Sequence, residues 1–252
     1  MIATIQHGNR NYQVQMNKGI DLSIPMKADG DSVKAWYVDP ISIEPVIGDG
    51  FIGEVKQGGS VNFKNVLFNP HGHGTHTECL GHITEEFYSV NELITDFWHL
   101  ALVCTVQPEI NDKGEAIIKM KHVQEQILAN PDCKAIIFRT LPNPLSKKTK
   151  NYANTNPPFI SEECAQFICD QGIDHLLIDL PSVDPEVDGG KLLAHRAFWN
   201  FSGERRMHAS ITELIYVPEE VQDGVYFLHL SFAAFHNDAS PSKPIIYPTK
   251  VQ

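Results

Sequence analysis

Apolar and polar positions alternate through ATIQHGNRNYQVQ, Ala3 to Gln15, around a Gly-Asn pair, which predicts an opening β-hairpin. IDLSIPM is a short apolar strand entering a loop, and AWYVDPISIEPVIGDG, rich in Pro and Gly, reads as irregular structure. VNFKNVLF alternates as a strand that runs into a glycine-rich stretch, and ALVCTVQP is a β-branched run of the kind buried on both faces. HVQEQILAN carries apolar residues at helical spacing and leads through Pro131 into the strand KAIIFRT. In ISEECAQFICDQG, Ser161 is placed to cap a helix, Glu162 and Glu163 suit its first turn, and Gly172 its C-terminal stop. DHLLIDL follows as a strand, so Lys134–Leu180 reads strand–helix–strand with a parallel pair. VYFLHLSFAAF is a long late strand. With no internal repeat or linker, the chain is expected to form one α/β domain over residues 1–252.

Composition narrows the function. The 252 residues are 42% hydrophobic, enough for a sizeable core. A net charge of −11 disfavours nucleic acid and anionic membrane surfaces as partners. No apolar run is long enough to span a bilayer, and MIATIQHGNRNYQVQ lacks the basic head and apolar stretch of a secretory signal. Five cysteines at irregular spacing, with no CxxC pair, suggest a reduced, cytoplasmic location.

The candidate chemistry is concentrated in NPHGHGTHTECLGH, Asn69 to His82, which holds four of the chain's twelve histidines. In an extended segment, His76, Glu78 and His82 share one face because they are two and four residues apart. Imidazoles and a carboxylate suit a divalent metal such as zinc or manganese, and Gly72 and Gly74 let the backbone bend around it. Cys79 has the opposite parity and reads as a buried structural thiol.

GTHTECLGH resembles the H-x-G-T-H-x-D-x-P-x-H signature of the cyclase-like metal-dependent hydrolases, the family of bacterial kynurenine formamidase and isatin hydrolase. Further blocks resemble the family's in its order: IDLSIP, AWYVDP, IIFRT, LLIDLPSVDP, LLAHRAFWN, ITELIYVPEEV and HNDASPSKPIIYP. The resemblance implies a mixed β-barrel-like α/β core with flanking helices, the swivelling β/β/α type. It implies one or two divalent ions, Zn2+ or Mn2+, held by His76, Glu78, His195 and Glu213 together with a first histidine. The family position for that histidine is Gly72; His71 is preferred, through a one-residue bulge, with His73 as the alternative. Glu78 stands where the family usually has Asp, and FSGERRMHAS lengthens the spacing between His195 and Glu213. By the same resemblance His82 is the general acid/base and Trp36 lines the substrate pocket. Arg139, Asp179, Ser182 and Asp184 read as structural: Asp179 and Ser182 bonding turn amides after a strand, and Arg139 pairing with one of these acids. His7, His99, His122, His175, His208, His229 and His236 lack motif support and read as surface or core residues.

The implied reaction is hydrolysis of a small amide, formamide or cyclic amide by metal-activated water, with no G-x-S-x-G elbow in the chain. The alternatives are a biosynthetic cyclase or dehydratase using the same site, and an inactive metal-binding homologue. The resemblance also implies a homodimer or homotetramer, with the pocket partly shaped by a neighbouring subunit.

Overall fold

The computed structural model describes residues 1–251. Ten strands form the main sheet: β1 (Ile2–His7), β2 (Arg10–Gln15), β3 (Ile20–Asp21), β4 (His76–Glu78), β5 (Trp98–Val106), β6 (Ala135–Thr140), β7 (His175–Ile178), β8 (Ser210–Glu213), β9 (Gly224–Phe232) and β10 (Ala239–Val251). Strands β5, β6, β7 and β8 run parallel in that order. On one side β9 and then β10 add antiparallel. On the other, β4 pairs antiparallel with β8 and also with β10, which closes a seven-stranded mixed barrel. The β1–β2 hairpin and β3 pair with the far part of β10.

Alternation fills both faces. Ala101, Val103, Ala135, Ile137, Leu177, Leu228, Leu230 and Ile246 form one apolar cluster that fills the barrel. The intervening Leu100, Leu102, Ile136, Phe138, Leu176, Ile178 and Ile211 belong to a second cluster, against which the helices pack. These are α1 (Gln124–Ala129), α2 (Glu162–Asp170) and α3 (Leu193–Phe198). Two covered faces explain why KAIIFRT and DHLLIDL read as continuous apolar runs.

The expected hairpin, the parallel β6–β7 pair and the flanking helices all form. Ser161 caps α2 through its hydroxyl, which accepts the Cys164 amide at 3.2 Å, and Gly172 follows in a left-handed turn at φ +69°. Three expectations change. The segment read as irregular contains Ser42–Pro45, paired with Lys64–Leu67, and the small Ile47–Gly48/Phe51–Ile52 ladder. Arg139 pairs with Asp223 at 3.2 Å rather than with Asp179 or Asp184, because it lies beside Thr105 and the loop after Pro218. Asp179 is instead held by the Lys147 ammonium at 2.7 Å and by the amide of Thr140 on the neighbouring strand. All five cysteines are free, and Cys79 is fully buried. Among the described residues, no helix is long and apolar enough to cross a membrane.

Candidate metal centre

Strand β4 is where the His-rich segment joins the barrel. Register pairs Glu78 with Ile211 and His76 with Glu213, so the four share the face that Ile211 turns toward the helices. Thr77 points the other way, to Thr212. Segment 70–75 reaches β4 through a turn in which Gly74 lies at φ +72° and Gly72 stands against Val38 too closely for a Cβ. That turn brings His71 back over the strand, with Nδ1 3.0 Å from Glu78 Oε2.

Helix α3 supplies His195 from across the groove. Its first turn is capped by Asp184, whose Oδ1 accepts the Ala194 amide at 2.8 Å and whose Oδ2 accepts the His195 amide at 3.1 Å. The same Oδ2 lies 2.5 Å from His195 Nδ1, so that nitrogen carries a proton and Nε2 is aimed at Glu78 Oε1, 3.2 Å away. Glu213 comes from the end of β8, with Oε2 3.5 Å from His76 Nε2 and Oε1 3.9 Å from His195 Nε2. Its Oε1 is steadied by the Val183 amide. His82 follows in the short turn after β4; its ring stacks on His71 at 4.2 Å between centroids, with Nε2 3.7 Å from Glu78 Oε2.

The structure thus brings His71, His76, Glu78, His82, His195 and Glu213 to one place, and not His73. The His73 ring faces the Asn69 amide and the Asp39 carbonyl at 2.8 Å, a loop-bracing role. One residue at the site escapes the sequence reading. Asp238, just before β10, lies 2.8 Å from His71 Nε2 and 3.4 Å from His82 Nδ1. Its signal was an acid in the closing block HNDASPSKP. Asp184 has the structural role expected of it, as the carboxylate that caps α3 and orients His195.

The electrostatics suit a cation. Burial opposes charge on His71 and His195, yet Asp238 and Glu78 push His71 up to about 10, and Asp184 and Glu78 push His195 up to about 10. Burial alone would raise Glu78, but His82, His195 and His71 hold it well below the usual carboxylate range. Asp238 and Asp184 are also lowered, against their burial, by their histidine partners. Positive charge is therefore stabilised wherever this cluster can hold it. Moreover, His76 Nε2 and Glu78 Oε2 are buried without a hydrogen-bond partner among the described residues: the approaches of His71 and His82 to Glu78 Oε2 lack hydrogen-bond alignment. Donor atoms of His71, His76 and Glu78 lie within 4.8 Å of one another, as do those of Glu78, His82 and His195. Imidazole and carboxylate donors at these separations, with two unpartnered atoms, could hold a divalent cation. A cavity of about 380 Å³ opens beside them, lined by Trp36, Val38, His82, Leu192, Glu186 and Glu213 among others.

Residues 20–185 match the Cyclase family model, which spans most of the chain. The chain belongs to the Cyclase family. Its fold is therefore that of a cyclase-family protein, as the order of sequence blocks implied. This family member is 27% identical to a kynurenine formamidase of Bacillus cytotoxicus over 93% of its own length and all of the relative's. The fold is shared with isatin hydrolase A from Labrenzia aggregata at a TM-score of 0.66 and 13% identity, covering 92% of this chain and 94% of that one. It is shared also with a protein described as a predicted metal-dependent hydrolase from Bacillus stearothermophilus at a TM-score of 0.61 and 16% identity, covering 91% and 98%.

Proposed function

We propose that this cyclase-family protein is a metal-dependent hydrolase that cleaves a small amide, formamide or cyclic amide. One observation carries the reading. The unpartnered atoms of His76 and Glu78 are buried behind His71, His195 and Glu213, which line the cavity that Trp36 also walls, and His71, His195 and Glu213 approach these two residues within 3.5 Å. The relatives' names, a kynurenine formamidase and an isatin hydrolase, supply the substrate class of formamides and cyclic amides.

In this reading His71, His76, Glu78, His195 and Glu213 hold one or two divalent ions, zinc or manganese. A divalent ion supplies two things when bound: water acidified from about 16 toward about 7, and a Lewis acid for the carbonyl oxygen. The remaining work falls to the protein. His82 is partly open to the cavity, and Asp238 Oδ2 beside its Nδ1 favours the tautomer with the proton there. Nε2 is then free to take a proton from water and return it to the leaving nitrogen. Asp184 fixes the His195 ring and its tautomer. Trp36, Val38 and Leu192 offer an apolar wall for a flat ring.

The exposed apolar side chains of the Ser42–Leu67 arm, Phe63, Val66 and Leu67 among them, support a homodimer or homotetramer, which light scattering on purified protein would size.

The test joins metal content to turnover. Protein purified without chelator should carry close to stoichiometric zinc or manganese and hydrolyse members of an aryl formamide and cyclic amide panel. His76→Ala should lose both. Wild-type protein that is metal-free and cannot be reconstituted would refute the reading.

A further inference from the structure

The wall of the cavity that carries Trp36 belongs to no helix or strand. Trp36 and Tyr37 occupy successive left-handed positions, φ +60° and +61°, a conformation that side chains with a Cβ rarely adopt and almost never adopt in tandem. Such strain persists only where surrounding contacts impose it. The flanks are tied down. The Ala35 amide donates to the Gly72 carbonyl at 2.9 Å, the Tyr152 amide donates to the Lys34 carbonyl at 2.8 Å, and His73 Nε2 meets the Asp39 carbonyl.

The turn itself is held by Trp36, which packs against the buried cluster of Ile24, Val33, Ala35, Tyr152, Leu214 and Tyr216, and by one polar side chain. Tyr37, 62% exposed, donates its hydroxyl to Glu186 Oε1 at 2.9 Å, with Asn154 Oδ1 3.2 Å away. Glu186 also gathers three backbone amides: Asn154 at 2.6 Å on Oε1, Thr155 at 3.1 Å and Asn156 at 2.9 Å on Oε2. Asn154 and Asn156 are themselves left-handed, at φ +60° and +45°. One carboxylate therefore joins three irregular segments: the turn bearing Trp36, the 154–156 loop, and the loop that begins at Asp184. Glu186 lines the cavity, yet this geometry commits both of its oxygens to the three segments.

We propose that Glu186 and Tyr37 form a clasp that positions Trp36 against the cavity, so that substrate affinity depends on a bond outside the catalytic cluster. Both are positioning residues. Without the clasp, the Trp36–Tyr37 turn relaxes toward ordinary backbone angles and the indole leaves the wall. Binding of a ring-bearing substrate weakens, while the histidine and carboxylate cluster, built on β4, β8 and α3, stays in place. The kinetic part of this inference rests on the hydrolase reading; the geometric part does not.

The experiment uses the full chain in a Trp98→Phe background. The chain has three tryptophans, and Trp199 is fully buried, so quenching of the fluorescence by acrylamide then reports Trp36. Tyr37→Phe and Glu186→Ala should each raise the quenching constant about twofold or more, at temperatures well below unfolding, with metal content unchanged. Glu186→Gln keeps one acceptor oxygen and should fall between wild type and Glu186→Ala. On an aryl formamide, both Tyr37→Phe and Glu186→Ala should raise KM roughly five- to twentyfold and leave kcat within about threefold, the pattern of lost substrate binding. Quenching equal to wild type in both variants overturns the clasp, as does a loss confined to kcat. If wild-type protein hydrolyses neither aryl formamides nor cyclic amides, the hydrolase reading fails while the quenching arm still decides the clasp.

Discussion

The Asp184 carboxylate meets helix α3 at three points, on Ala194 and His195, and none of them is the reacting centre. It caps the Ala194 and His195 amides in the first turn of α3 and accepts a hydrogen bond from His195 Nδ1, so backbone and ring are oriented by one carboxylate. Asp184→Asn keeps the size but can present its NH2 group where a proton must be accepted, so ring and tautomer are no longer fixed. Metal affinity is expected to fall about ten- to hundredfold, measured by competition with a chromogenic chelator; an unchanged constant would show that His195 is oriented by packing alone. His82 differs, because Asp238 and His71 hold it at the cavity edge rather than beneath it. His82→Ala should retain metal and lose roughly a hundred- to ten-thousandfold in kcat. Retained turnover would remove it from the proton path. Strand parity brings His76 and Glu78 together because it is a local rule, whereas His82 reaches the same place through the turn Leu80–Ile83 and not through the extended segment its spacing predicted. Asp238 and Glu186 were illegible for the opposite reason: each meets its partners across more than a hundred residues or through loop amides, and a lone acid in a polar block carries no period.

The elements that were legible are those whose pattern is set by burial on defined faces. The β6–α2–β7 unit combines two continuous apolar runs with a capped helix, and each signal has one physical reading. The strand β4 is less legible, since three residues in the short stretch between Gly74 and Gly81 carry little propensity; pairing to β8 and β10 makes it a strand. Cap chemistry gives one expectation here: Ser161→Ala should cost about 1 kcal/mol in urea unfolding, the usual value of a lost N-cap. A larger effect belongs to the end of β7. Asp179 is fully buried, and burial raises its pKa against the opposing pull of Lys147 and Thr140. Lys147→Met removes the ammonium and leaves that carboxylate uncompensated, so stability at neutral pH should drop by about 3 kcal/mol. Adding Asp179→Asn should restore part of the loss. Strictly additive losses in the double variant would mean that the two residues do not act as a pair.

At the scale of the whole molecule, the barrel has two chemically different ends. The cluster on the outer face favours cationic histidines. At the base of β5, β7 and β8, His99 and His175 lie 3.9 Å apart between ring centroids, and His175 Nδ1 meets the Ser210 hydroxyl at 2.8 Å. Burial first, then the charges of His99, His208 and Arg206, hold His175 well below the ordinary histidine range, and burial lowers His99 as well. Asp174 is nearby but is engaged by Arg206 and His208. A histidine depressed in the folded state contributes stability that is fully present above its unfolded pKa of about 6.5 and is lost as pH falls below it, because only the unfolded chain accepts the proton. The groups of the metal centre have other windows. In metal-free protein, His71 and His195 at about 10 are protonated in both states below pH 6.5. The lowered carboxylates Glu78, Asp184 and Asp238 remain ionised until the pH approaches about 4. Between pH 6.5 and 5 the depressed histidines, with His73 and His229 shifted in the same direction by burial, lower stability as pH falls; Asp179, raised by burial, acts against them, and four histidines outnumber it. Chelator-treated protein should lose unfolding free energy across that interval, because each depressed histidine takes up its proton first in the unfolded chain. His175→Asn, which can still reach Ser210 through its amide, should be less stable at pH 7.5 yet visibly flatter below 6.5. Urea midpoints at pH 7.5, 6.5, 5.5 and 5.0 decide it: if the two curves run parallel, the acid sensitivity of this fold arises somewhere other than the base of its barrel.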